Sequence, residues 1–389
     1  MRSFAHPKIA GLSESVFTEM SQLARTHNAV NLGQGFPDFP GPEFVKEAAV
    51  RAVRADQNQY AVSHGDPGLR REIAATWSAD YGLLVDPDAH VTVTSGATEA
   101  IFGAIQAFLG PGDEIIAFEP FYDSYPAAAA LAGATFVPVR LHPPTWDFRM
   151  TDLQAAITPR TRAILLNTPH NPTGKVFGRD DLDEIAGLSQ EHDLLVITDE
   201  VYDRILFDPA VHVPLASLPG MWERTVTIGS TGKTFSLTGW KIGYAIAPPV
   251  LSAGLRSVHQ FITFSTSTPF QIAMAEALTA ARSNGYYDQL RDDYDERRRS
   301  LTLALQGAGL EPMAIGGSYF LIADVSRFGF DTDVAFCRWL IETRGVAAIP
   351  PSAFYQRPAT APVLARFCFA KSHETLDEAA RRLEGLSDL

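Results

Sequence analysis

Between about residues 43 and 250 the chain alternates amphipathic stretches with short runs that are apolar at nearly every position. Glu43–Asp56 follows Pro42 and repeats its apolar side chains at helical spacing, which predicts a helix with proline near its start. Gly68–Tyr81, Ala97–Leu109 and Asp181–His192 predict further helices, and the alanine tract Ala127–Ala130 fits a helix interior. Val91–Thr94, Glu114–Phe118, Phe136–Arg140, Ala163–Asn167, Leu194–Thr198, Thr225–Ile228 and Ile242–Ala247 predict strands. Several of these lack the apolar–polar alternation of a half-exposed strand, the pattern of strands covered on both faces. Strands separated by helices predict an α/β fold with a mostly parallel sheet.

The texture changes at the breaker pair Asn284-Gly285. A long charged helix is predicted from Tyr286 to about Gln306, where Arg291, Asp292, Asp293, Asp295, Glu296 and Arg297–Arg299 mix signs as a solvated face does. Short strands follow at Ser318–Asp324, Ala347–Ile349 and Arg366–Ala370, with two more helical stretches, so this part reads as a smaller α+β domain. The expected organisation is an N-terminal arm and segment over 1–42 that packs with the small domain, a large domain over 43–284, and the small domain over 285–389.

Composition narrows the function. The 389 residues include 46% hydrophobic and 20% charged, which are globular values. A net charge of −13 repels phosphate backbones and anionic lipid, so neither nucleic acid nor membrane is an expected partner. Two cysteines, Cys337 and Cys368, supply neither a disulfide framework nor a four-thiolate metal site, and the histidines are scattered; no metal is expected. The start, MRSFAHPKIAGLSESVF, has no long apolar core like that of a secretory signal, and the longest weakly polar run, Ala127–Val139, is short for a membrane span; a cytoplasmic location is expected.

In an open α/β sheet, ligands bind beyond the carboxyl ends of the strands. There the chain places Ser95-Gly96-Ala97-Thr98, Glu119-Pro120-Phe121-Tyr122, Asn167-Thr168-Pro169-His170-Asn171-Pro172-Thr173-Gly174, Asp199-Glu200 with Tyr202, and Gly229-Ser230-Thr231-Gly232-Lys233. Small residues, hydroxyls, an aromatic, an amide, a carboxylate, a phenol and a lysine along one edge suit a planar, phosphorylated, electron-withdrawing cofactor with a reactive carbonyl. Gly229-Ser230-Thr231-Gly232-Lys233-Thr234 lacks the glycine spacing of a P-loop, and Gly33-x-Gly35 runs into Phe-Pro-Asp-Phe-Pro, which opens no helix as a dinucleotide motif must. His170, a lone histidine in the site loop, is expected to be structural.

The segments NLGQGFPDFPGP (31–42), NQY (58–60), TSGATEA (94–100), GDEIIAFEPFYDSY (112–125), NTPHNPTG (167–174), TDEVYD (198–203), GSTGKTFSLTGWKIGY (229–244) and ARFCF (365–369) together resemble the class I aminotransferases, fold-type I pyridoxal 5'-phosphate enzymes, and within them the kynurenine/glutamine/methionine group. The resemblance implies a large domain built on a seven-stranded, mostly parallel sheet. It implies that Lys233 forms the Schiff base with the cofactor aldehyde and shuttles the substrate Cα proton, a task a primary amine can perform as nucleophile and base. Asp199 then pairs with the pyridine nitrogen, Tyr202 and Asn171 with the ring hydroxyl, and Tyr122 stacks on the ring. Gly96, Ala97 and Thr98 at a helix start, with Ser230 and Lys241, hold the phosphate; many relatives carry arginine where Lys241 stands. Tyr60 comes from the neighbouring subunit of a homodimer. Arg366 clamps the substrate carboxylate, Asn171 reaches it, and Gly35 approaches the substrate through its backbone.

The same resemblance implies transfer of an amino group between an amino acid and a 2-oxo acid by a ping-pong cycle. Phe17, Tyr122 and the other subunit's Phe264 line the side-chain pocket, an apolar and aromatic wall without a clear second cation. This favours methionine, glutamine, kynurenine or aromatic substrates over aspartate; Ser265, where several kynurenine-type relatives carry histidine, leans the choice towards methionine. The alternatives are a cysteine-conjugate C–S β-lyase and an N-succinyldiaminopimelate aminotransferase. A cofactor-sensing regulator would need a DNA-reading module, and no basic helix-turn-helix precedes residue 31.

Overall fold

The structure, a computed structural model, describes residues 16–388. Positions 1–15 of the expected N-terminal arm lie outside the described residues. The strands, in chain order, are β1 (Val30–Asn31), β2 (Val91–Ser95), β3 (Glu114–Glu119), β4 (Thr135–Arg140), β5 (Thr161–Asn167), β6 (Leu195–Asp199), β7 (Thr225–Ser230), β8 (Ile242–Ile246), β9 (Glu311–Pro312), β10 (Phe320–Asp324), β11 (Val346–Ala347) and β12 (Leu364–Cys368).

Seven of them form one sheet in the order β2-β8-β7-β6-β5-β3-β4. β4, β3, β5, β6 and β7 pair in parallel, and β8 runs antiparallel to both β7 and β2. This reversal of β8 matters for the site. Its first residue, Ile242, pairs with Ser95 at the end of β2, and Gly243 pairs with Ser230 at the end of β7. Lys241, which precedes a strand, therefore arrives at the same edge as residues that follow strands.

Both faces of the sheet are covered, which explains its apolar strands. Ile115 and Ala117 of β3 pack under the helices Ala97–Phe108 and Ser124–Ala132, whereas the alternate residues Ile116 and Phe118 pack on the opposite face with Leu182 and Ile185. Burying each of the isoleucine, leucine and phenylalanine side chains here stabilises the fold by about 1.5–3 kcal/mol. The helix Pro67–Tyr81 begins where the Asp66 carboxylate accepts from the Leu69 amide at 3.0 Å and ends at Gly82. The pattern of apolar positions carried no expectation for residues 249–281, which form two helices, Pro249–Ile262 and Thr268–Ala281.

A second, three-stranded antiparallel sheet has the order β12-β10-β9, and the helices Tyr286–Gly307, Asp333–Arg344 and His373–Leu383 pack around it. The helix Val16–Thr26 joins the same core, and β1 pairs in parallel with β11. The strand expected at Ala347–Ile349 is shorter and lies earlier, at Val346–Ala347, followed by a single bridge from Ile349 to Arg366. Pro350 and Pro351 stop it, because proline offers no amide hydrogen to a ladder.

Candidate active site

The ends of β2, β5, β6 and β7, the start of β8 and one residue of β12 surround a cavity of about 310 Å³. Gly35, Gly96, Ala97, Thr98, Tyr122, Asn171, Asp199, Tyr202, Ser230, Lys233, Lys241, Arg366 and Phe17 all line it. Tyr60 and Phe264 do not. They lie on the surface, 82% and 50% exposed, with their rings in edge contact at 5.3 Å.

Lys233 sits in a single helical turn, Thr231–Thr234, directly after β7; the Ser230 hydroxyl caps this turn by accepting from the Gly232 amide at 3.2 Å. The lysine amine donates to the Tyr319 hydroxyl at 2.8 Å. Burial lowers its pKa to about 8, against the opposing pull of Asp199. A share of the amine is therefore neutral near physiological pH, as a nucleophile or base requires.

Asp199 ends β6, inside the protein. Its Oδ2 accepts from the Tyr125 hydroxyl at 2.6 Å, and its Oδ1 is buried with no hydrogen-bond partner. Burial pushes its pKa up to about 6, although the hydrogen bond from Tyr125 pulls the other way. A buried carboxylate oxygen without a donor is costly. A ligand carrying a protonated ring nitrogen would remove that deficit. Burial also raises the phenols of Tyr202, above its ordinary value, and of Tyr122, to about 12, so both stay protonated donors.

Gly96 precedes the helix Ala97–Phe108 with φ of 79°, and a Cβ there would stand 2.8 Å from the Lys241 amine. Only glycine leaves this cradle open. The free amides of the helix start, the Lys241 ammonium and the Ser230 hydroxyl form a donor set suited to a phosphate.

Arg366 lies in β12 and is 1% exposed. Its Nη1 donates to Asn171 Oδ1 at 3.0 Å and its Nη2 to the Gly33 carbonyl at 2.9 Å, while Nε has no partner. The guanidinium carbon lies 4.1 Å from the centroid of the Phe320 ring, with Phe17 and Phe354 at 5.1 and 5.2 Å. This aromatic cage orients the charge. Burial lowers the guanidinium to about 10, so it remains a cation at neutral pH.

Sequence reasoning missed Tyr125, Tyr319 and Phe320. Tyr125 stands three residues after Tyr122, but nothing in the local pattern signals that Asp199, 74 residues away, is its partner. His170 is buried with Nδ1 2.7 Å from Thr173 Oγ1, and burial lowers its pKa to about 3; it does not line the cavity.

A family model described as aminotransferase class I and II matches residues 27–383, and the chain belongs to this family of enzymes that transfer nitrogenous groups. The chain is 42% identical over 379 residues to a methionine aminotransferase of Escherichia coli, covering 97% of each protein. It is 45% identical over 384 residues to a probable N-succinyldiaminopimelate aminotransferase of Mycobacterium tuberculosis, covering 96% of each. A solved Escherichia coli protein described as having a methionine aminotransferase function superposes with a TM-score of 0.95 at 42% identity, over 100% of both chains. None of the described helices is long and apolar enough to cross a membrane.

Proposed function

We propose that the protein is a pyridoxal 5'-phosphate-dependent aminotransferase that moves the α-amino group of a neutral, sulfur-containing or aromatic L-amino acid, of the methionine, glutamine or kynurenine type, to a 2-oxo acid by a ping-pong cycle. The observation that carries the reading is the buried, unpartnered Asp199 Oδ1 in one cavity with Lys233 and Arg366. When bound, the cofactor supplies an electrophilic carbonyl carbon and a ring that accepts electron density from the substrate α-carbon.

The chain's own residues do the rest. Lys233 would hold the cofactor covalently, and its released amine takes the proton from the substrate α-carbon. Asp199 keeps the ring nitrogen protonated, Tyr202 and Asn171 hold the ring hydroxyl, and Tyr122 covers one ring face. The amides of Gly96, Ala97 and Thr98, with Ser230 and Lys241, hold the phosphate. Arg366 and Asn171 orient the substrate carboxylate, and the segment around Gly35 shields the site from water. Among the described residues that line the cavity the cations are Lys233, Lys241 and Arg366, and each is engaged in this scheme, which leaves the side-chain pocket of Phe17 and Tyr122 apolar.

We assign Tyr60 and Phe264 to the active site of a second subunit in a homodimer. They stand beside exposed Val62, Phe261 and Ile262, an apolar surface that a second copy would cover; a loaded, active protein that sizes as a monomer would contradict the assignment. We place domain boundaries at 42/43 and 284/285, since the helix after Gly285 opens the small-sheet layer and β1 pairs with β11. A cytoplasmic location completes the reading, and cell fractionation checks it.

The direct test is the visible spectrum of the loaded protein with L-methionine and no oxo acid. Loss of the bound-cofactor band with release of a 2-oxo acid supports the reading. A retained band with steady release of pyruvate and a thiol from cysteine conjugates points to a lyase. The 45% identity to the Mycobacterium tuberculosis relative favours one second reading, an N-succinyldiaminopimelate aminotransferase. Faster loss of the band with that succinylated amino acid than with methionine would select it.

A pH dependence follows from Asp199. Capture of the ring nitrogen needs its carboxylate form, which is lost as pH falls through about 6. In Lys233→Ala, which removes the amine that titrates near 8, affinity of the cofactor-free protein for pyridoxal 5'-phosphate is expected to be steady between pH 7 and 8 and to fall about tenfold per unit below about pH 6. Fluorescence titration at each pH measures it; affinity that is flat down to pH 5 would refute the role.

A further inference from the structure

Tyr319 lies one residue before β10 and is fully buried. Its ring meets Tyr202 edge-on, with centroids 5.0 Å apart, and stacks on Tyr294 at 6.1 Å. The position of its hydroxyl is the unusual feature. The oxygen is 2.6 Å from the Gly35 carbonyl and 2.8 Å from the Lys233 amine, and it also hydrogen-bonds the Tyr202 hydroxyl. A phenol has one hydrogen. A carbonyl can only accept, so that hydrogen goes to Gly35, and the phenol oxygen accepts from Lys233.

Gly35 belongs to a segment, Gly33–Phe36, that borders the cavity and is held by its carbonyls. Arg366 donates to Gly33, Tyr319 to Gly35, and the Lys371 amine to Phe36 at 2.8 Å. A Cβ on Gly35 would meet the Phe320 ring at 2.6 Å, so this backbone is pressed against the wall that carries Tyr319. A neutral amine that donates one N–H to the phenol oxygen keeps its lone pair free. A donor on the oxygen also polarises the O–H towards Gly35, so each bond strengthens the other.

We propose that Tyr319 is a positioning residue that couples the free amine of Lys233 to the Gly33–Phe36 segment: one phenol parks the amine and latches the segment at the same time. The inference rests on the reading of Lys233 as the cofactor-bearing amine. Free and engaged states of that lysine then differ in how firmly the segment is held. The substrate clamp reads the same segment through Gly33, so arrival of a carboxylate at Arg366 and release of the amine act on one stretch of backbone.

The test uses the cofactor-free protein, so it does not depend on activity. Lys233 is acylated with acetic anhydride over a pH series and followed by peptide mass spectrometry, and backbone hydrogen exchange is followed in the 33–36 segment. Tyr319→Phe keeps the ring contacts and removes the hydroxyl, and with it the hydrogen bond to Tyr202, which Tyr202→Phe removes alone as the control. Asp199, Cys368, Lys241, Arg366 and Tyr202, the other groups that act on the amine, remain. The midpoint for Lys233 labelling is expected to fall by about one pH unit, because the ammonium loses an acceptor in a dry site. Exchange in the segment is expected to rise about tenfold.

Lys233→Ala should also speed segment exchange, and the double variant should show less than the product of the two single effects. In the loaded enzyme, Tyr319→Phe should lower kcat about tenfold with a smaller change in KM. An unchanged labelling midpoint, or exchange effects that multiply independently, would overturn the proposal. If the wild-type protein shows the predicted labelling and exchange behaviour yet takes up no pyridoxal phosphate, the functional reading fails and the coupling stands.

Discussion

Lys233→Ala is expected to remove the visible absorbance of the bound cofactor and to lower turnover by at least roughly 10²–10⁴-fold, the share that a positioned acid–base group supplies. Loss of the covalent attachment adds to this. The substitution spares the fold for a physical reason. The amine makes one hydrogen bond, to Tyr319, and burial disfavours its charged form. Removing it takes an attractive neighbour from the buried Asp199 carboxyl, which answers by holding its proton more tightly, and it opens no gap in an aliphatic core. Far-ultraviolet circular dichroism should therefore match the wild type while the visible band is gone. A variant that keeps both band and turnover would move the chemistry to another residue.

Arg366→Ala is expected to raise KM for the amino acid by about 10²–10⁴-fold, while the cofactor stays bound. The estimate is two charge-assisted hydrogen bonds to the substrate carboxylate at ~1.5–3 kcal/mol each. The cofactor is spared because its proposed phosphate and ring-nitrogen holders, around Gly96, Lys241 and Asp199, lie on the large sheet, whereas Arg366 lies on β12. Arg366→Lys keeps the charge but loses the planar fork, and should still bind poorly. Steady-state kinetics with constant cofactor absorbance measures both effects. An unchanged KM in Arg366→Ala would remove this residue from substrate recognition.

What was legible in the sequence follows from how local each signal is. The strands of the large sheet stood out because both faces are buried, so their runs are apolar without alternation. The residues after those strands were legible because strand ends define one edge, and Asp199, Asn167 and Ser230 fall there. The antiparallel setting of β8 was not legible, since a fully apolar strand reads the same in either direction. Helices over 249–281 were hidden by the mixed polarity of Pro249–Ile262, whose exposed residues include Val250 and Phe261. Tyr125 and Tyr319 escaped because their value lies in one hydroxyl meeting a partner far along the chain, and no spacing rule reaches that far. Arg366 was legible only through the segment around it, since nothing local announces that Phe17, Phe320 and Phe354 close over it.

The order of strands also governs when the site can exist. β2 lies at the edge of the large sheet, and its neighbour there is β8, made about 150 residues later. β1 pairs with β11, more than 300 residues further on. During synthesis the Gly96 cradle thus waits for Ile242–Ile246 to fix its strand, and Gly33 waits for Arg366. The place proposed for the cofactor is thus complete once β8 is made, well before β12 supplies Arg366. A chain cut short before β12 keeps its lysine but has no clamp for a substrate.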